Sequence, residues 1–270
     1  MDDVIGRWRE VNLANWNERV PIHLAGSFYD LPGFRKKRNV LREFEVAEIG
    51  EVAGRSLVHL QCHFGQDTLS WAAHGARVSG LDFSGPAVEA ARGLAAELGV
   101  EAEFVQADAY EAVTAFEGRT FDIVYTGFGA LTWLPDLPRW ARVVSDLLKP
   151  GGFLYLSEFH PFTEILDDET GTTITHDYFD EGAKVWDEPG TYADRGAETR
   201  NNVAVFWEHT LGSVVSAIAG AGLRVEFLHE HENTIFPRYH DLEAGTDGLY
   251  RRPEGAPRIP MMYSIRASKA

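Results

Sequence analysis

The chain is short of cysteine, of positive charge and of long apolar runs. A single cysteine in 270 residues excludes an internal disulfide and favours a reducing compartment. Lysine and arginine total 25 against 41 acids, a formal net charge of -16. Long-range repulsion therefore opposes approach to nucleic-acid backbones and anionic membranes. No apolar run comes near the roughly 18 residues of a membrane span, and the acidic start MDDVIGRWREVN shows no signal-peptide pattern. Internal repeats, low-complexity tracts and short metal-ligand motifs are also missing. The remainder is ordinary for a globular protein, 44% apolar and 24% charged, and long enough to bury a full core. These absences predict a soluble cytoplasmic protein acting on something small, with neither nucleic acid nor membrane as partner. They leave the oligomeric state open.

The middle of the chain alternates regularly. Apolar runs at 57–61, 77–82, 103–106, 121–126 and 153–157 are separated by helical patterns at 66–74, 84–98 and 136–148. Ser84 followed by Pro86 and Glu89 is good helix-start chemistry. Leu137, Trp140, Val144 and Leu147 recur at helical spacing up to Lys149-Pro150-Gly151-Gly152. Further strands are expected near 223–229 and 261–266, and a helix at 210–221. Strands alternating with helices predict an α/β, Rossmann-like, doubly wound fold with a mostly parallel seven-stranded sheet, because parallel neighbours need a crossover. Ligands in such sheets lie beyond the carboxyl ends of the strands. That rule nominates Gln61 to Gly65, Asp82, Asp108, Thr126 to Gly129 and Glu158.

The flanks are less regular. Residues 1–50 read as an N-terminal helical lid carrying Trp8, Trp16, His23 and Tyr29. Residues 51–270 read as the sheet domain, with cap insertions at about 160–206 and 233–258. A long irregular segment is uncommon unless functional or disordered, and Tyr178, Phe179, Trp186 and Tyr192 argue against disorder. The basic run Arg35-Lys36-Lys37-Arg38 fits a solvated face better than an anion site.

The stretch LVHLQCHFGQDTLSWAAHGARVSGLD, residues 57–82, has the order strand, tight loop, helix, strand, acid of a nucleotide-binding unit. Together with VQADAY, FDIVYTGFGAL and LLKPGGFLYL it resembles the class I S-adenosylmethionine (SAM)-dependent methyltransferases. The likeness covers about 55–160 and, more loosely, 200–266, and HLQCHFGQDTLSW is similar to a bacterial small-molecule branch. The resemblance implies SAM as cofactor. Gln61, Cys62, His63 and Gly65 would line its methionine loop, Asp82 would hold the ribose hydroxyls, and Phe83, Asp108 and Ala109 would meet the adenine. Thr126 and Tyr29, the latter in the turn-like FYDLPG, complete the expected cofactor set. The family loop reads acid-x-Gly-x-Gly-x-Gly, whereas these positions hold His59, Gln61, His63 and Gly65. Glycine serves where φ is positive or a ligand approaches closely. Gln61 and His63 fit only if their backbones stay in allowed regions and their side chains turn away from the ligand.

Methyl transfer is an in-line displacement, so positioning supplies much of the rate. An oxygen or nitrogen acceptor can need a base, and a carbon acceptor would form a cation needing an aromatic face and a base. Glu158 is the expected base, with His160 beside it and Glu164 as a weaker candidate. Capping or pairing is the competing role for Glu158. Trp133, Tyr178, Trp186 and Tyr192 are expected to line an apolar acceptor pocket, and His231 and Arg238 to contact the acceptor. His229 and His231 share a strand face, but no metal is expected. The primary reading is a small-molecule methyltransferase in specialised metabolism, its acceptor aromatic or isoprenoid. One alternative is a prenyl (geranyl or farnesyl) diphosphate C-methyltransferase, in which Arg238, His240 and the basic run would hold the anion and Asp167-Asp168-Glu169 comes nearest to a metal cluster. Others are a non-catalytic SAM-fold binding protein and a NAD-type dehydrogenase, the last lacking its glycine fingerprint.

Overall fold

The predicted alternation closes into one sheet in the structure, a computed structural model that describes residues 2–270. Four helices come first: α1 (Asp2–Gly6), α2 (Trp8–Ala25), α3 (Leu31–Lys37) and α4 (Glu43–Ile49). The alternating core follows, with strands β1 (Ser56–Leu60), β2 (Arg77–Asp82), β3 (Ala102–Gln106), β4 (Phe121–Thr126) and β5 (Leu148–Phe159). Its helices are α5 (Gln66–Ala73), α6 (Gly85–Leu98), α7 (Ala112–Ala115) and α8 (Leu137–Leu147). The last third holds strands β6 (Ala183–Asp187) and β7 (Val203–Trp207), helix α9 (Leu211–Gly220) and strand β8 (Leu223–His231). Three two-residue strands, β9 (Asn233–Thr234), β10 (Glu243–Ala244) and β11 (Tyr250–Arg251), precede β12 (Met262–Lys269).

The main sheet has seven strands in the order β3-β2-β1-β4-β5-β12-β8. β1 to β5 run parallel, and β12 is antiparallel to both β5 and β8. Local chemistry sets the helix ends. The Ser84 side chain accepts from the Ala87 N–H ahead of Pro86, and Gly99, at φ +65°, ends α6 in the left-handed region. Asp136 caps α8 in the same way, ahead of Pro138. Leu137, Trp140, Ala141, Val144 and Leu147 then form one buried face of α8 against the sheet. Each fully buried large apolar side chain there contributes roughly 1.5–3 kcal/mol.

β7 stays out of the main sheet. It pairs only with β6 as an antiparallel hairpin, and α2 lies along it. The buried amide of Asn12 donates to the Val205 carbonyl and accepts from the Val205 N–H, at 2.7 and 2.8 Å. Asn15 and Arg19, three and seven residues further along the same helix, donate to the Asn201 carbonyl. A polar stripe thus ties the N-terminal helix to the cap and leaves both above the carboxyl ends of β1, β2 and β4.

Candidate active site

The loop from β1 to α5 makes a sharp turn at the carboxyl end of the sheet. Gln61, His63 and Gly65 all take positive φ, +58°, +50° and +81°. These are the three positions where glycine was expected. The first two fall in the small left-handed well that L-residues enter at a cost of about 1–2 kcal/mol. Gly65 differs because a Cβ there would lie 2.8 Å from the Phe104 ring and 3.2 Å from the Ala91 methyl. Only this position needs glycine for space as well as for φ. Gln61 leans away from the turn, with its Nε2 on the Ala130 carbonyl at 2.9 Å. Cys62 is buried, its N–H held by the Leu81 carbonyl. His59, at the place of the family acid, is buried and bonded to Thr68, and burial lowers its pKa to about 3.

Asp82 ends β2 beside this loop. Its Oδ2 accepts from the His63 N–H at 2.8 Å and its Oδ1 from the Ser84 N–H at 2.9 Å. Each oxygen keeps a lone pair for a ligand. Burial raises the carboxyl to about 6, against the pull of its backbone donors. Phe83 is half-buried, its carbonyl bonded to Gln106. Ala109 is buried behind Asp108, which caps the turn Ala109–Glu111 through the Tyr110 N–H. The second Asp108 oxygen pairs with Arg9 of α2 at 2.8 Å. Thr126 is fully buried at the end of β4, and its hydroxyl has no partner. Gln61 Oε1 and His23 Nε2 are likewise buried and unpartnered. The unmet atoms of Thr126 and Gln61, at the ends of β4 and β1, are what a polar cofactor would satisfy. A SAM-sized ligand therefore fits the residues present.

Known proteins agree with this geometry. Residues 58–152 match the family described as "Methyltransferase domain". Over these residues the chain is similar to a methyltransferase domain. It is 34% identical over 122 residues to a ubiquinone biosynthesis O-methyltransferase of Ralstonia nicotianae, covering 45% of this chain and 50% of the relative. It thus spans about half the length of the curated relatives it matches. A solved S-adenosylmethionine-dependent methyltransferase from Mesorhizobium loti superposes with a TM-score of 0.55 at 26% identity, over 82% of this chain and 94% of that one. Another from Clostridium acetobutylicum superposes at 0.58 with 12% identity, over 90% and 98%, a likeness of fold alone. SAM is the methyl donor of this domain class.

The expected chemistry around the methyltransferase core needs correction. Glu158 carries no free acceptor. Its Oε1 accepts from the N–H groups of Gly129 and Phe159 and its Oε2 from those of Ala130 and Leu131. Burial still pushes its pKa up to about 7. A carboxylate holding four backbone donors caps the 129–131 turn, and this favours the competing role over that of a base. His160 is equally engaged. Its Nδ1 accepts from the Phe162 N–H at 3.0 Å, so Nε2 carries the proton donated to Glu230. Glu164 is paired with Arg238.

The acceptor set divides. Trp133 and Tyr192 join an aromatic cluster above the loop, described below. Tyr178 does not, because its hydroxyl takes the Leu211 N–H at the start of α9. Trp186 lies 54% exposed on β6 against Phe206. His231 bonds Ser264 and packs on Phe44. Arg238 forms a two-pronged ion pair with Glu164 at 2.7 and 3.0 Å. Arg35 of the basic run pairs with Glu97, and Asp167 closes a tight turn on Thr170, Thr172 and Thr173. Of the cations expected to hold a diphosphate, Arg238 and Arg35 are therefore already paired with carboxylates. Among the described residues no group of three or more His, Cys, Asp and Glu could hold a metal ion.

The cluster itself comes from four segments. Trp16 of α2 lies edge-on to His63 at 5.5 Å and to Trp133 at 5.4 Å between ring centroids. His23, one helical face further along, lies 4.8 Å from Tyr192 and 5.5 Å from Tyr29. The hydroxyls of Tyr29 and Tyr192 are hydrogen-bonded. Trp16 and His23 stand seven residues apart on one helix, a spacing that puts them on one face. That spacing is the signal by which they belong in the candidate set. The stripe Asn12, Asn15 and Arg19 had no such apolar signature and went unread.

Proposed function

We propose that this protein is a SAM-dependent methyltransferase (EC 2.1.1.-) that methylates a small molecule, with oxygen as the acceptor atom. The carrying observation is the left-handed turn at 61–65 set against the Asp82 carboxylate, a pairing that packing of the fold does not require. Asp82 would accept from the ribose hydroxyls, and the 61–65 turn would hold the methionine end. Thr126 and Gln61 would meet polar atoms that now have none. Bound there, SAM would supply an electrophilic sulfonium methyl: a C–O bond would form to an ionised acceptor oxygen, its proton already released to solvent, as the C–S bond breaks and its electron pair stays on sulfur. The lid α2 and the hairpin β6–β7 exclude water from the carboxyl edge, which strengthens each polar contact inside.

Oxygen methylation follows the names of the matched relatives. A prenyl diphosphate acceptor draws no support from cations already paired with Glu164 and Glu97. Titration calorimetry with SAM tests the cofactor reading: binding that Asp82→Ala weakens at least tenfold is expected. Failure of the pure protein to bind SAM, with Asp82→Ala indistinguishable from it, would sink the proposal. Binding without turnover of any acceptor would favour the non-catalytic alternative.

A further inference from the structure

The hydrogen bonds around His63 determine the tautomer of the neighbouring ring, His23. The Phe64 N–H donates to His63 Nδ1 at 2.8 Å, so a neutral His63 carries its proton on Nε2. That atom lies 3.0 Å from His23 Nδ1, which must therefore accept. His23 is left with its proton on Nε2. This N–H is buried in a residue with no exposed surface and has no partner. An unmet buried donor costs about 1–3 kcal/mol and calls for an acceptor atom. Burial and the nearby Arg19 lower the pKa of His23 to about 4, so at neutral pH the ring offers a single, oriented, uncharged donor. Arg19 itself is occupied by the Asn15 and Asn201 carbonyls, and its charge favours an oxygen bearing negative character.

The surroundings of that donor are flat and aromatic. Trp16, Tyr29, His63 and Tyr192 all lie within 6.0 Å of the His23 ring, centroid to centroid, and Trp133 continues the wall beyond Trp16. Such faces select planar rings by offset and edge contacts. The chain already sets one phenol over His23, that of Tyr192, which is 53% exposed and sits in the short turn 191–194. Displacing it breaks one hydrogen bond, that between its hydroxyl and the Tyr29 hydroxyl.

We propose that this cluster is the binding site for a flat phenolic molecule, which replaces the Tyr192 ring and takes a hydrogen bond on its oxygen from His23 Nε2–H. It rests on the reading that the adjoining 61–65 turn holds SAM, and it names the class of acceptor.

The test uses the full chain saturated with S-adenosylhomocysteine and two probes, 2-naphthol and naphthalene, which differ by one oxygen. Equilibrium dialysis should show wild type binding 2-naphthol at least tenfold more tightly than naphthalene, since a site built around a donor rejects the analogue lacking its acceptor. His23→Phe should bind the two alike, with affinity for S-adenosylhomocysteine within twofold of wild type. His23→Gln, which keeps a side-chain N–H, should recover part of the preference. The wild-type comparison needs no variant to fold. Equal binding of both probes by wild type, or a preference surviving in His23→Phe, overturns the proposal. So does a loss of S-adenosylhomocysteine affinity in His23→Phe, because the donor would then serve the cofactor. A wild-type chain that fails to bind S-adenosylhomocysteine at all removes the cofactor reading as well, so the two failures are told apart.

Discussion

Gly65→Ala probes why one glycine of the loop persists while two are replaced. At Gly65 the backbone takes φ +81° and ψ 15° as the cap of α5. An alanine there would bear left-handed strain of about 1–2 kcal/mol. Its methyl would also stand 2.8–2.9 Å from two carbons of the Phe104 ring and 3.2 Å from Ala91. Phe104 is buried among Cys62, Phe64, Leu69 and Val88, so the ring has little room to retreat. Overpacking of this kind costs about 1–3 kcal/mol. The sum is roughly 2–5 kcal/mol, which for a chain of this size lowers the melting midpoint by about 5–15 °C. Urea unfolding and thermal melting of wild type and Gly65→Ala measure it directly. Gln61→Gly and His63→Gly serve as contrasts: each relieves left-handed strain while losing a side-chain bond, so each should shift stability by less than Gly65→Ala. A Gly65→Ala protein that melts with wild type would refute the argument from space, and with it the explanation of which glycine survives.

Two further predictions concern the carboxyl groups. Glu158→Gln leaves two of four buried N–H groups facing an amide instead of an acceptor, at about 1–3 kcal/mol each. Removing a buried charge offsets part of this, so a net loss on the order of 1–3 kcal/mol is expected in urea unfolding. Unchanged stability with turnover down a hundredfold would restore Glu158 as a base. For Asp82 the sign follows from its raised pKa of about 6. Ligand hydroxyls need the ionised form, which is present above that value and lost below it. Affinity for S-adenosylhomocysteine should therefore fall as pH drops from 7 to 5, approaching tenfold per unit at the low end. Calorimetry at several pH values checks this, and a flat profile would show that the carboxylate does not take part.

Much of the fold was legible from the chain because its causes are local. Short apolar runs and period-3.6 apolar spacing located β1 to β5 and α5, α6 and α8 to within about five residues, and the caps Ser84 and Asp136 act on their own helices. Asp82 could be named from the order strand, loop, helix, strand, acid. The outlying strand β7 shows the limit. Its sequence is strand-like wherever it lies, and its place beside α2 is decided by the amides of Asn12 and Asn15 reaching across the fold.

Polar side chains were the least legible, since a carboxylate or an imidazole has no role until its partner is known. Glu158 became a cap because residues 129–131 turn their N–H groups onto it, and His160 became a turn former because Glu230 and Phe162 stand beside it. Arg238 was withdrawn from anion binding by Glu164. The sequence by itself determined the sheet order's local pieces, the turn after β1 and the acid after β2, through spacing that any short window reveals. The tertiary structure alone decided which donors are left unmet, because α2, the 61–65 turn, Trp133 and Tyr192 are far apart in the chain and meet only when the lid packs over the sheet.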